Sequence, residues 1–195
     1  MTEKELLDLV FFEARTYRYW QARKVEHALL QKAWEMARLP PTSANCSPLR
    51  VVFVESQQAK EKLKPALMDS NVRQTMGAPV TAIFAFDSQF YDFLPRLYPQ
   101  ADARAWFVGE KNQASAKETA FRNGSLQAAY FMLSLRALGL DCGPMSGFNP
   151  DQVNAAFFAD GRWKANFLCN IGYGEKSRLH PRGPRLNFEE VARIE

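Results

Sequence analysis

The longest helical pattern in the sequence places the strongest constraint on the fold. Over residues 115–138 apolar side chains recur at helical spacing, and Gly139 follows where a left-handed residue often ends a helix. Apolar positions extend well around this helix, so we expect it to lie at the centre of the fold. A chain of 195 residues can cover such a helix without disulfides or a structural metal. We therefore expect residues 1–195 to form a single domain.

Shorter helical and strand patterns alternate along the rest of the chain. Helical spacing occurs at residues 5–15, 25–38, 59–68 and 150–158, and strand patterns occur at residues 50–55, 79–86 and 166–173. Residues 87–111 are rich in Phe, Tyr, Pro and Arg, which favours an irregular cover or short helices. We call this segment the lid. Together the patterns predict an α+β fold with a mixed central sheet flanked by helices.

Composition and spacing exclude several classes of function. The net charge of +4 is spread along the chain without interleaved aromatics, which favours a small anionic ligand over nucleic acid. His27 and His180 have no partners at ligand spacing, so we expect no metal site. The sequence has neither G-x-G-x-x-G after a strand pattern nor a P-loop, which argues against a Rossmann dinucleotide site and a nucleoside triphosphatase.

The cysteines and the N-terminus indicate a cytoplasmic protein. Three cysteines without C-x-x-C spacing argue against a disulfide framework and suggest a reducing compartment. Cys46 lies in a polar loop and is a candidate reactive thiol, whereas Cys142 and Cys169 are expected to be buried. The apolar run at residues 6–12 is too short and too interrupted for a signal peptide or a membrane span.

Three polar segments together suggest a flavin site. Residues 41–48, PTSANCSP, combine turn formers, hydroxyls and an amide that can bond to an anion or a heterocycle. Residues 14–18, ARTYR, lie near the N-terminus, and residues 143–148, GPMSGF, follow the long helix. Gly143 and Gly147 would let the backbone approach a planar ring closely.

Arginines near both ends of the chain suit a phosphate. Arg15 and Arg18 lie near the N-terminus, and Arg182 and Arg185 lie in a tail rich in Pro and Arg. Two guanidinium N–H donors match two phosphate oxygens, and the positive charge does not titrate. Taken one at a time, each is equally consistent with an ordinary surface arginine.

In their order and spacing, these segments resemble the FMN-dependent nitroreductase family over about residues 7–190. The resemblance implies FMN as cofactor, NADH or NADPH as reductant, and hydride transfer in two steps. It also implies an intertwined homodimer with FMN at the interface. No side chain is then needed as a nucleophile, and nothing in the sequence selects between the two nicotinamides.

The resemblance also assigns each segment a part of the flavin. Residues 14–18 match a family element that contacts the phosphate and the ring, with Ala14 where the family has an arginine. The loop at residues 41–45 reaches the flavin of the neighbouring subunit. The implied cofactor-binding residues are Arg15, Thr16, Arg18, Pro41, Thr42, Ser43, Asn45, Asn71, Gln74, Pro144, Met145, Ser146, Gly147, Arg182 and Arg185. Among them, Ser146 stands where most members carry Glu.

A narrower resemblance concerns the substrate. Residues 41–48, 102–107, 118–123 and 143–148 are similar to family members that reduce malonic semialdehyde in bacterial uracil degradation. This implies reduction of 3-oxopropanoate to 3-hydroxypropanoate, with Arg104 or Arg122 contacting the substrate carboxylate. Arg122 could instead pair with Glu118 on a helix surface. A broad nitroaromatic or quinone reductase and a flavin-binding protein without turnover are the alternatives.

Overall fold

Four strands form one sheet in the order β1-β2-β4-β3. In the computed structural model, which describes residues 2–195, the strands are β1 (Leu49–Val54), β2 (Val80–Asp87), β3 (Asp141–Met145) and β4 (Trp163–Gly172). All three strand pairs are antiparallel, and an isolated parallel bridge joins Thr16 to Cys142. The α+β class is confirmed, but the expected mixed sheet is antiparallel in its named strands. Strand direction depends on how the chain returns to the sheet, which residue periodicity does not encode.

Helices cover both faces of the sheet. They are α1 (Glu3–Leu7), which continues into a π-helical turn at Asp8–Phe12, α2 (His27–Ala37), α3 (Gln57–Leu63), α4 (Asp69–Gly77), α5 (Leu94–Leu97), α6 (Gln113–Ala137), α7 (Pro150–Phe157) and α8 (Phe188–Val191). The patterns predicted α2, α6 and α7 closely. They did not predict α4 or β3, both of which carry candidate site residues.

The long helix α6 lies at the centre, as its pattern predicts. Phe131 and Leu135 are buried with Phe84 of β2, and the Phe84 and Phe131 rings are 5.7 Å apart edge to face. Gly139 has φ +79°, its N–H donates to Arg136 O, and the N–H of Leu140 donates to Leu135 O. This is the Schellman arrangement expected of a glycine that ends a helix.

The lid packs against the N-terminal part of α6 and forms a hydrophobic cluster with it. Its short helices bury Phe90, Leu94 and Phe107 against Ala116 and Ala120 of α6. The same cluster contains Cys46, which is fully buried. Burial raises the pKa of this thiol to about 11, more than the hydrogen bond from Thr42 lowers it. The expectation of a reactive thiol at Cys46 is therefore wrong, because the polar loop turns this side chain inward.

Cys142 and Cys169 are buried, as the patterns predict. Within residues 2–195 no helix combines the length and apolar character needed to cross a bilayer.

Candidate functional site

The two ends of the chain meet in a cavity of about 320 Å³ beside the C-terminal end of α6. Its lining includes the predicted Arg15, Thr16, Arg18, Arg182 and Arg185, together with Arg136, Arg178 and His180. The segments meet because residues after β4 return along the N-terminal segment. Gln21 N–H donates to Tyr173 O over 2.8 Å, and Glu175 N–H donates to Tyr19 O over 3.0 Å. The C-terminal segment after β4 therefore starts beside Arg15 and Arg18, which the sequence predicts to contact the phosphate.

Backbone carbonyls are the acceptors for the cavity's outer arginines. Arg182 Nη2 donates to Phe12 O and Ala14 O over 2.6 and 3.0 Å, and Arg15 donates to His180 O. Arg185 Nη1 donates to two carbonyls of its own tail. Neutral carbonyls leave the guanidinium charge uncompensated, so the cavity favours an anion.

The donors fit a phosphate monoester. Six arginines and Thr16 line the cavity from three parts of the chain. Among the described residues, Arg178 is the one cavity arginine with a carboxylate within 4.0 Å, at 3.9 Å from Glu175, and the charge of Arg136 also acts on Asp141. The buried Nε of Arg136 has no hydrogen-bond partner within residues 2–195. Several guanidinium groups gathered at one cavity with few carboxylates fit a phosphate dianion, which accepts several N–H donors at once.

The residues expected at the edge of the flavin ring form a second group. Asn71 Nδ2 donates to Gly147 O over 2.8 Å, and Gln74 Nε2 donates to Asn71 Oδ1. The Sδ atom of Met145 lies 4.0 Å from Gln74 Nε2. Asn71 and Gln74 share one face because they are three residues apart on α4. Trp20 ties this group to the N-terminal segment by donating to Gln74 O over 3.1 Å.

The remaining residues of the 143–148 segment surround this group. Pro144 is half-buried in β3, and Ser146 is exposed. The chain itself occupies the space beside both glycines. A Cβ at Gly143 would lie 2.5 Å from Tyr17 O, and one at Gly147 would overlap Asn71 Nδ2. Close approach to the protein's own backbone and side chains is sufficient to explain why these positions need glycine, and their expected closeness to a ring stays a prediction.

The loop at residues 41–45 lies far from the cavity of its own chain. Ser43 N–H donates to Asn123 Oδ1 on α6 over 2.9 Å, and Asn45 Nδ2 donates to Leu97 O in the lid over 2.8 Å. Asn123 precedes Arg136 by 13 residues on α6, which is roughly 20 Å along the axis. Pro41, Thr42, Ser43 and Asn45 are therefore not brought together with the arginines.

The two candidate contacts for a substrate carboxylate lie at the same end as this loop. Arg104 Nη2 lies 3.4 Å from Asp92 Oδ1, and Arg104 is half exposed. Arg122 forms an ion pair with Glu118 one turn earlier on α6, the alternative that its spacing allowed. Arg122 is the more exposed of the two, but Arg104 is the less tightly paired with a carboxylate.

Two titratable groups behind the cavity are the buried Tyr17 and the half-buried Asp141. Burial raises the pKa of Asp141, and the N–H of Gly174 and the charges of Lys176 and Arg136 oppose that rise. Burial, followed by the charge of Asp141, raises the pKa of Tyr17. Within residues 2–195 no three His, Cys, Asp or Glu side chains are grouped to hold a metal ion.

Comparison with known proteins identifies the family. A model of the nitroreductase family matches residues 12–173, and the chain belongs to this family. A protein of Ralstonia nicotianae is 50% identical over 98% of this chain and 97% of its own length, and one of Burkholderia lata is 53% identical over 97% and 96%. Both carry the provisional name NADH dehydrogenase/NAD(P)H nitroreductase.

Solved structures share the whole fold. A provisionally named nitroreductase of Exiguobacterium sibiricum, solved in complex with FMN, superposes with a TM-score of 0.86 at 21% identity, covering 100% of this chain and 99% of its own. A provisionally named nitroreductase of Bacillus subtilis gives a TM-score of 0.84 at 23% identity over the full length of both chains. The nitroreductase-like fold predicted from sequence is confirmed.

Proposed function

We propose that the protein is an FMN-dependent NAD(P)H oxidoreductase that reduces 3-oxopropanoate, malonic semialdehyde, to 3-hydroxypropanoate. Membership of the nitroreductase family, the names of the close relatives and the arginine cavity support FMN and a reduced nicotinamide. When bound, FMN supplies the hydride chemistry in two steps, from the nicotinamide and then to the substrate.

The protein's own residues bind and orient the cofactor in this proposal. Arg15, Arg18, Arg182 and Arg185 hold the phosphate, and Thr16 adds a hydroxyl. Asn71 and Gln74 meet the polar edge of the ring, and residues 144–147 cover the ring near its reactive nitrogen. The hydrogen bonds of Asn71 to Gly147 O and of Gln74 to Asn71 support this, because they hold the two amide side chains next to the 144–147 segment.

We further propose that the active form is a homodimer whose sites combine two chains. The loop at residues 41–45 lies roughly 20 Å along α6 from the cavity of its own chain, so a two-fold arrangement would let it complete the partner's site. Exposed apolar residues at both ends of the chain suit such an interface. They are Leu6, Leu7, Leu9, Phe11, Phe12, Leu186, Phe188, Val191 and Ile194.

The position of Arg104 is the observation that carries the choice of substrate. A short aldehyde acid has little apolar surface, so charge-assisted hydrogen bonds must supply most of its affinity. Arg104 is 47% exposed and lies in the lid, which contacts the 41–45 loop. Its guanidinium makes a long contact with Asp92, at 3.4 Å, and lies 6.0 Å from the centre of the Tyr91 ring. Such a guanidinium can pair with the carboxylate while the aldehyde faces the flavin. We place this reaction in cytoplasmic pyrimidine degradation, which the free cysteines suit.

Replacing Arg104 tests this proposal. We expect Arg104→Ala to raise the KM for 3-oxopropanoate by about 10- to 100-fold, the loss from one charge-assisted bond, without changing flavin content or reduction of an uncharged quinone. Arg96→Ala removes another exposed lid arginine and serves as the matched control. The measurement is steady-state oxidation of NADH and NADPH with each acceptor.

The other outcomes separate the alternatives. A selective loss in Arg122→Ala, with Arg104→Ala unaffected, would assign the carboxylate to Arg122. Equal losses on the acid and the quinone would show that Arg104 supports the fold or the flavin. The names of the relatives favour a second candidate, a broad nitroaromatic or quinone reductase, which would reduce a nitroarene far more efficiently than the aldehyde acid. Bound flavin with no turnover of any acceptor would leave a flavin-binding protein.

A further inference from the structure

The innermost arginine of the cavity differs from the others in its contacts. Arg136 lies in the last turn of α6, between the buried Leu135 and the C-terminal glycine motif. Its Nη1 is 3.5 Å from Val10 O, the limit of a hydrogen bond, and its buried Nε has no partner within residues 2–195. Burial raises the pKa of Asp141, behind the cavity, and the charge of Arg136 opposes that rise. The guanidinium is therefore held on a rigid central helix with few hydrogen bonds and with part of its charge compensated from behind the cavity.

The outer arginines are engaged differently. Arg15 donates to the tail at His180, and Arg182 donates to the N-terminal segment at Phe12 and Ala14. These bonds join the two walls of the cavity through Nη2 of each side chain, so the other N–H groups of both guanidiniums remain able to reach an anion. The position of Arg136 is set by α6 itself, because its hydrogen bonding among residues 2–195 is limited to the long contact with Val10 O.

We propose that Arg136 is the preformed anchor of the phosphate site and that it makes the protein select FMN over riboflavin, which lacks the phosphate. The inference rests on the proposed FMN dependence. In this arrangement the phosphate meets Arg136 on the fixed helix, and Arg15 and Arg182 add the N–H groups that their carbonyl bonds leave free. A phosphate dianion suits this position because it accepts several N–H donors at once and offsets the cluster of positive charge.

A purely structural role makes a different prediction. A cation in the last turn of a helix interacts favourably with the helix dipole, so removing Arg136 could weaken the fold alone. Lost helix stability would affect FMN and riboflavin alike. Loss of a phosphate contact affects FMN and inorganic phosphate and leaves riboflavin binding nearly unchanged.

The experiment measures flavin affinity in the full-length protein after exchange of bound flavin. We expect Arg136→Met, which removes the charge and keeps the length of the stem, to weaken FMN binding by about 10- to 100-fold in fluorescence titrations while riboflavin affinity changes less than about twofold. Arg136→Lys should recover part of the loss, because it restores charge without the fork. Arg38→Ala removes an exposed arginine paired with Glu35, outside the cavity, and should bind both flavins normally.

Inorganic phosphate gives a second readout. It should raise the melting temperature of the flavin-free wild type and of Arg38→Ala, but not that of Arg136→Met. Equal losses for FMN and riboflavin, or unchanged FMN affinity in Arg136→Met, would overturn the proposed anchor while leaving FMN dependence intact. Failure of the wild type to bind FMN would overturn the cofactor proposal and the anchor with it. If Arg136→Met does not fold, a normal FMN-to-riboflavin preference in Arg136→Lys would overturn the anchor.

Discussion

At the scale of single residues, the partner of an arginine separates a structural role from a binding role. Asp87 is 1% exposed and accepts hydrogen bonds from Arg50 over 2.7 Å and from Arg162 over 2.9 Å, so these guanidinium charges are compensated inside the protein. The cavity arginines Arg15 and Arg182 bond to neutral carbonyls and keep their charge available. Residue type is the same in both places, and only the folded contacts distinguish them.

The cysteines give a prediction at the same scale. Cys46 is fully buried and its pKa is about 11, so at pH 8 roughly one molecule in a thousand carries the thiolate that reacts. We expect no rapid reaction of the native protein with a thiol-specific disulfide reagent at pH 8, and reaction of all three cysteines after unfolding in guanidinium chloride. One thiol that titrates rapidly in the native protein would contradict the buried position.

Single residues also show what the sequence could and could not predict. The four arginines predicted from the two ends of the chain all line the cavity. They could be predicted because the order and spacing of the segments match a known family, whose members share one fold. The position of Arg136 in the cavity was not predicted, because a lone basic residue near the C-terminal end of a helix is usually exposed or interacts with the helix dipole. Its buried Nε has no hydrogen-bond partner within residues 2–195, and this results from packing, which no residue pattern in the sequence indicates.

At the scale of elements, long periodic segments were predictable and short ones were not. The 25 residues of α6 give many repeats of the apolar pattern, whereas the 5 residues of β3 contain a glycine and a proline and read as a loop. Helix α4 has a mostly polar sequence, DSNVRQTMG, so periodicity did not reveal it. Pairing with β4 stabilises β3, and packing of Thr75 and Gln74 near Met145 holds α4.

Two glycines test how closely the N-terminal segment packs on β3. A Cβ at Gly143 would lie 2.5 Å from Tyr17 O, whereas one at Gly77, the last residue of α4, meets nothing within 4 Å. We expect Gly143→Ala to lower the free energy of unfolding by about 1–3 kcal/mol and to weaken FMN binding, because the backbone beside Arg15 and Arg18 must move. Gly77→Ala should leave both within experimental error of the wild type.

Urea unfolding and flavin titration of the two variants provide the measurement. Equal stability and FMN affinity in Gly143→Ala and wild type would show that residues 15–18 can shift without consequence. The close approach would then play no part in forming the cavity wall.

At the scale of the whole molecule, the residues proposed to bind flavin lie in two separate places on the chain. The arginine cavity lies at the C-terminal end of α6, and the 41–45 loop lies with the lid at its N-terminal part. Residue patterns alone could not reveal this separation, because it depends on the direction of one helix in the fold; it was the family resemblance that implied a loop serving the neighbouring subunit. In a two-fold dimer the same patches face each other reciprocally, so each loop can complete the partner's cavity.

Mixing two damaged chains tests this arrangement. One variant, Arg182→Ala with Arg185→Ala, removes phosphate contacts from the cavity. The other, Ser43→Ala with Asn45→Gly, removes polar groups from the loop, and glycine adopts the φ of +51° at Asn45 without strain. We expect each variant alone to purify with little FMN and to sediment as a dimer.

Co-expression of the two variants should then restore flavin. If the loop serves the partner's cavity, a mixed dimer contains one site with both defects and one site with none, so random pairing recovers about a quarter of all sites. Differently tagged chains allow mixed dimers to be isolated, and their FMN content and NAD(P)H oxidation can be compared with those of each variant expressed alone. If the loop serves its own chain, every site in a mixed dimer carries one defect, so isolated mixed dimers without flavin would contradict the shared site. A wild-type monomer that retains FMN in analytical ultracentrifugation would contradict the need for a partner, because one chain would then hold the cofactor with its loop at the far end of α6.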